Sequence, residues 1–360
     1  LLNKAMHVDP LGRIPYVNLP GFYAMQGKPE KALHLLVKAM EIFPDWATPY
    51  QYMANHLMGL GRLDEAVAWT TLAKTLTDDP MTKATVMGAF IEFGNIEKIA
   101  EFGAQFPADH PMYRMGEGFV LFANSDYRGT IATLEDLQLS TEIESKYAYP
   151  LMSMSALMMR DFDEAQQYLI RANPLLTSDT TDNVDRQNYR SAILLAYAYQ
   201  QTGDARRADR LLAEAERIVS QMHRIGVGGH GISDVSILAL RGRNDAALDA
   251  LRDAIDEGFV SLISYEMWTL DQNPMIDTLR EDARFKTMKL ELDQKIEVMR
   301  DNVERANESD DWSELLNQAR GEELTALLLQ MDAAREEQRA LTAHEHAIAA
   351  KLAVQLASTG

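Results

Sequence analysis

The 360-residue chain contains no cysteine. Disulfides, thiol nucleophiles and thiolate metal ligands are thereby all excluded. No run approaches the roughly 18 consecutive apolar residues that a membrane-spanning helix needs. The first residues, Leu1-Leu2-Asn3-Lys4-Ala5-Met6, lack the charged start and small-residue cleavage site of a secretory leader. Positive charge is scarce, with 35 Lys and Arg against 54 Asp and Glu, for a net charge of −19. A phosphate-binding surface needs clustered cations, so no nucleic acid is expected to bind here. Acidity of this size favours basic partners and says nothing of fold.

What is present is length, with 46% hydrophobic and 25% charged residues. One ordinary core serves about 100–150 residues, so the chain must hold several domains or a repeat. A repeat is visible. Gly27-Lys28-Pro29-Glu30-Lys31-Ala32 and Gly61-Arg62-Leu63-Asp64-Glu65-Ala66 lie 34 residues apart, as do Pro10 and Pro44. Comparable turns follow at Gly94, Asp126, Asp161, Gly203 and Gly242, most with an alanine four or five residues on. The period predicts antiparallel helix pairs reversing at each of these positions.

The residues around the turns carry a resemblance to the tetratricopeptide-repeat (TPR) family. Tyr16, Leu19 and Tyr23 precede the turn at Gly27, and Ala32, Leu36, Ala39 and Pro44 follow it. The second unit repeats this with Tyr50, Ala54, Leu57, Gly61, Ala66 and Ala73, and the sixth with Leu195, Ala196, Tyr199, Gly203, Ala208 and Ala215. Small residues let two helices approach while bulky ones fill the gaps. Pro20 departs from the pattern and predicts a kinked or late-starting first helix. Ile99 and Thr130 stand where alanine is expected, leaving unit boundaries between 80 and 145 open.

The resemblance implies an all-α, right-handed superhelix of about seven helix pairs over residues 1–257. The chain opens inside the second helix of a truncated unit, which predicts further sequence upstream. Residues 258–290, with Trp268-Thr269-Leu270-Asp271 and Pro274–Phe285, resemble the closing segment of TPR domains in bacterial signalling proteins. Such domains commonly follow a winged-helix DNA-binding domain, a cyclase or a kinase. Residues 291–360 read as a helical C-terminal extension, with Leu324, Leu327, Leu328, Leu329 and Met331 as its apolar centre. That extension is expected to cap the solenoid.

No arrangement of residues proposes a reaction, and no cofactor or metal is expected. Gly226-Val227-Gly228-Gly229-His230-Gly231 follows a helical stretch rather than a strand, and no Lys comes after it, so it reads as a connector and not a phosphate cradle. His344 and His346 are two apart and face different sides of a helix, unlike a zinc pair one turn apart.

The functional expectation is therefore a groove lined by the first helix of each unit. Counting back from the turns assigns it Gln51, Asn55 and Met58 in the second unit. Met112, Met115, Phe119 and Phe122 follow in the fourth, Tyr147, Met154 and Leu157 in the fifth, and Tyr197 in the sixth. Its Met-rich middle suits a protein or peptide partner, an amphipathic helix in particular, or a second copy of the chain. The competing reading places the same side chains in the core. The function implied is a non-catalytic protein-interaction module, the sensory or scaffolding region of a larger bacterial signalling protein. The alternative is the regulatory region of a cyclase or kinase encoded upstream. The compartment stays open: cytoplasmic, or periplasmic with an upstream membrane tether.

Overall fold

The computed structural model describes residues 11–77, 95–135 except 109, 148–177, 183–260 and 269–318, together with 9, 79, 85, 88, 90, 91 and 93. All regular structure among them is helical. Helices come in antiparallel pairs: α1 (Arg13–Met25) with α2 (Pro29–Ile42), and α3 (Ala47–Gly59) with α4 (Leu63–Leu76). In the third unit α5 (Ile96–Gly103) is the second helix. Then come α6 (Pro111–Ala123) with α7 (Tyr127–Glu135), and α8 (Tyr149–Met158) with α9 (Phe162–Ala172). The last pairs are α10 (Tyr189–Gln201) with α11 (Ala205–Val219) and α12 (Ser233–Leu240) with α13 (Asn244–Asp256). A 3-10 segment, Pro274–Leu279, leads to the long helix α14 (Ala283–Ser309).

One turn chemistry recurs. The first helix of a pair ends at a residue with positive φ: Gly27, Gly61, Ser125, Arg160, Gly203 and Gly242. The next amide then reaches back five residues to a carbonyl, as Lys28 to Tyr23, Arg62 to Leu57, Asp126 to Leu121, Asp161 to Ala156, Asp204 to Tyr199 and Arg243 to Leu238, at 2.9–3.0 Å. This is the left-handed helix stop, which satisfies carbonyls that the helix end would orphan. The second helix starts at once, and Asn95, Asp126, Asp161 and Asp204 cap it by accepting from the amide three residues on. Gly94 and the truncated first unit lie outside the described residues.

Packing follows the small residues. Ala32, Ala66, Ala165, Ala208 and Ala247 are wholly buried, as are Thr130 and Ile99 where the pattern departs from alanine. Helix α1 begins at Arg13 and runs through Pro20, so the expected late start does not occur. A single apolar core runs from Met115 to Ile237 through units four to six, and a second gathers Val235, Leu251, Ile276, Leu279, Phe285, Met288 and Leu292 around α12–α14.

The solenoid closes on itself. The Gly226 amide donates to the Gly59 carbonyl at 2.7 Å, across 167 residues of chain. A Cβ added to Gly61 would stand 2.5 Å from the Gly258 carbonyl oxygen, and one added to Gly27 would touch His223 Cβ at 3.7 Å. The turns of units one and two thus abut the loops that follow α11 and α13. Helix α14 makes a second closure. Its first turns pack against α13 through Phe285, Met288 and Leu292, and its last turns reach α4, where Val303 and Ala306 are buried. Asn302 Nδ2 donates to Asp64 Oδ2 at 2.7 Å, and Arg300 Nη2 to the Phe93 carbonyl at 3.3 Å. At 1.5 Å per residue its 27 residues span about 40 Å.

The boundary expected at 290/291 falls inside α14, and the first compact unit instead extends to Trp312. A separate unit starts at Ser313 with a short helix, α15 (Ser313–Gln318). Leu324, Leu327, Leu328, Leu329 and Met331 lie outside the described residues, as does the expected cap that they form.

Candidate interaction surface

The residues assigned to a groove separate into two groups. Met115, Phe122, Met154 and Leu157 belong to the core of units four to six, none more than 5% exposed. They correct the expectation of an open apolar groove. Helix α8 is buried continuously from Leu151 to Leu157, so its apolar residues have neighbours on every side and a helical count cannot single out one face. Gln51 and Met58 are buried as well. Met112 and Phe119 are half-buried against Ile91, Ile99 and Phe102. Asn55 and Tyr197 are also half-buried. The Tyr197 ring meets Phe162 edge-on at 6.0 Å, and burial, with Asp277 nearby, pushes its hydroxyl pKa up. Tyr147 lies outside the described residues.

The exposed apolar surface lies in the first unit, three units before the apolar stretch that the count placed in the fourth and fifth. On α1, Ile14 is 69% exposed, Phe22 52% and Met25 47%, with Leu11 just ahead of the helix at 69%. Spacings of eight and eleven residues from Ile14 keep Phe22 and Met25 on one helical stripe. Asn18 lies on the same stripe, and a Cβ on Gly21 would meet nothing within 4 Å. Tyr52 is also exposed, on α3, which packs beside α1. Opposite, α1 buries Pro15, Tyr16, Leu19, Pro20 and Ala24. The signal was legible in Ile14–Met25, which is apolar on both faces of one helix.

The surface ends at the glycine-rich loop, where a Cβ on Gly228 would lie 3.6 Å from Met25 Cγ. That loop is a connector. The amides of Gly226, Gly229, His230 and Gly231 are all spent on carbonyls of this chain, those of Gly59, Gly226, His223 and Arg224. They leave no cradle for a phosphate. Arg224 anchors the loop base, with a bidentate pair to Asp234 at 2.8 and 2.9 Å and a bond to Glu257 at 3.2 Å. Burial holds the His230 imidazole down to about 4, against the pull of Asp234. His56, three residues before Gly59, is also lowered to about 4 by burial alone.

Among the described residues no cluster of three or more His, Asp or Glu is placed to hold a metal ion. No described helix is long and apolar enough to cross a membrane. A short polar contact outside the seams is made by Tyr168, whose hydroxyl donates to Glu135 at 2.5 Å and lies 3.3 Å from Glu164. Burial and both carboxylates raise its pKa, so it stays a donor.

No protein-family model matches the sequence, and no curated protein matches it. Among solved structures the chain is similar to the TPR domain of P58(IPK), at 15% identity over 92% of each chain, with a TM-score of 0.28. It is also similar to yeast Tom70, at 14% identity over 94% of this chain and 91% of that one, with a TM-score of 0.29. Overlap at that level transfers no property to this chain. With a left-handed stop, a five-residue back-bond and a buried small residue recurring from pair to pair, the chain folds as an all-α solenoid of antiparallel helix pairs.

Proposed function

We propose that the chain is a non-catalytic protein-interaction module, the sensory or scaffolding region of a larger bacterial signalling polypeptide. The observation that supports contact with a protein is the exposed stripe of Leu11, Ile14, Phe22 and Met25, with Tyr52 exposed on the neighbouring helix α3. Contiguous apolar surface on a soluble fold marks an interaction site far more often than chance. Residues eight and eleven apart on one helix suit an amphipathic helix laid along α1, since that partner presents its own apolar face at the same period. Exposed Met and Phe adapt to partners of different shape.

Photo-crosslinking tests the reading. A photoreactive residue at Phe22 should give a discrete protein adduct in cells, whereas the same residue at Leu175, exposed on the 3-10 turn after α9, should not. Equal labelling from both positions would remove the stripe as a contact site. The signalling role rests on the resemblance of the closing segment, and the complete gene tests it. A cyclase or kinase domain upstream would make the module that enzyme's regulatory region.

A further inference from the structure

We propose that loop 223–231 is an acid-released latch that holds the first two helix pairs against the end of the solenoid. Its grip on units one and two is mostly backbone. Gly226 donates to the Gly59 carbonyl, and Gly226 C and Val227 N lie where a Cβ on Gly59 would be, each 2.9 Å away. The contacts with Gly27 and Met25 are van der Waals only. A seam of this kind fits closely and is held weakly, because one hydrogen bond contributes only about 0.5–1.5 kcal/mol net.

Acid sensitivity comes from what surrounds the loop. His230 faces Asp234 on α12, with Nδ1 to Oδ1 at 3.7 Å. It also faces Arg224 and His223 of the loop and Arg190 of α10. His223 faces Arg186 ahead of α10 and the backbone of Val227. Across the seam, the Gly27 turn continues into Lys28. Three arginines therefore crowd two imidazoles, and the carboxylates that approach, Asp234 and Glu257, are both paired to Arg224. Neither His223 Nε2 nor His230 Nδ1 has a hydrogen-bond partner. A proton on either ring adds a buried cation to a site already short of anions.

The loop's own fold transmits this charge to the seam. The His230 amide donates to the His223 carbonyl at 3.0 Å and pins the two ends of the Gly226–Gly229 tip together. Charging both rings pushes those ends apart and withdraws the tip from Gly59. The sign follows from linkage. A freed imidazole titrates near 6.5 and the held His230 near 4, so the open form binds more protons in between. Below pH 6.5 the closed-to-open ratio falls, by up to about tenfold per pH unit for each ring so held.

Hydrogen exchange of the Gly226 amide reads the seam directly in the full chain. The Ala208 amide, bonded within its own unit to Asp204, is the internal reference. With rates corrected for intrinsic exchange, Gly226 protection relative to Ala208 should drop at least about tenfold between pH 7.5 and 5.0. The His223→Gln, His230→Gln double variant should show a flat ratio. His223→Gln alone, at a half-buried ring, should make the dependence shallower if the double variant does not fold. Gly59→Ala should lose Gly226 protection at both pH values. A wild-type ratio that does not change with pH overturns the latch. So do an unaltered slope in the histidine variants and full Gly226 protection in Gly59→Ala.

Discussion

Asp64 and Asn302 are 238 residues apart and share a hydrogen bond of 2.7 Å, with Asp64 only 6% exposed. The carboxylate is met by an amide and by the Glu65 amide at 3.0 Å. Removing the amide therefore strips a buried oxygen of its one partner on α14. Asn302→Leu should destabilise the chain by about 1–3 kcal/mol, the cost of an unsatisfied buried acceptor. Replacing Asp64 by Leu as well should recover part of that loss, because the buried carboxylate goes with its partner, while the Glu65 amide loses its acceptor. Thermal melts of the two single variants and the double variant check it. Additive losses would show that the two side chains do not interact.

Gly59→Ala forces a methyl group into the backbone of Gly226 and Val227. Neither can yield as a flexible side chain would, so the seam must open or the helix end must shift. A loss on the order of 1–3 kcal/mol is expected. Gly21→Ala is the contrasting case on α1: its methyl group meets nothing within 4 Å. That change should stabilise by about 0.5–1 kcal/mol, since a mid-helix glycine gives up more backbone freedom than alanine. Opposite shifts in melting temperature are the expected result.

Ala66 and Ala208 sit at helix crossings with no exposed surface. Either one changed to Leu should cost about 1–3 kcal/mol through overpacking. Melting like the wild type would show that the helices are not in close contact at these positions.

Stability should also fall on mild acidification. His56 is neutral in the fold down to about pH 4, while an unfolded imidazole titrates near 6.5. Its contribution is fully present above pH 6.5 and is lost as the pH falls toward 4, by on the order of 3 kcal/mol. Glu65, whose pKa is raised by burial, acts in the opposite sense and favours the acid side. Melting temperature against pH should have a shallower slope in His56→Asn than in the wild type between pH 6.5 and 4.

The helix pairs were legible in the sequence because their cause is local. A left-handed stop needs glycine or a tolerated substitute, and a close crossing needs alanine, so both leave a mark at fixed spacing. Ser125 and Arg160 occupy the same left-handed position without glycine, yet Asp126 and Asp161 behind them still marked those turns. The groove was misplaced for a physical reason. Met154 and Leu157 lie on a helix apolar all round, where periodicity cannot tell core from surface, and Met115 and Phe122 lie on the buried side of α6, opposite the Arg114–Glu117 pair. The seams left no trace of themselves. Gly59 and Gly226 meet through backbone atoms, and nothing in the 166 residues between them records that they meet. Asn302 on α14 looked like any polar residue on a solvated helix.

Closure also bears on how this chain can change over time. Open repeat arrays lengthen and shorten by whole units, because each unit contacts only its neighbours. Here the turn at Gly59–Gly61 must meet the loops at Gly226 and Gly258, and α14 must reach Asp64. Duplicating or deleting one helix pair between Gly61 and Gly226 would swing those partners past one another by a full unit. Both seams would be lost at once. The number of pairs between the seams is therefore not a free variable: this array has a fixed count, and point substitution is the route left open to it.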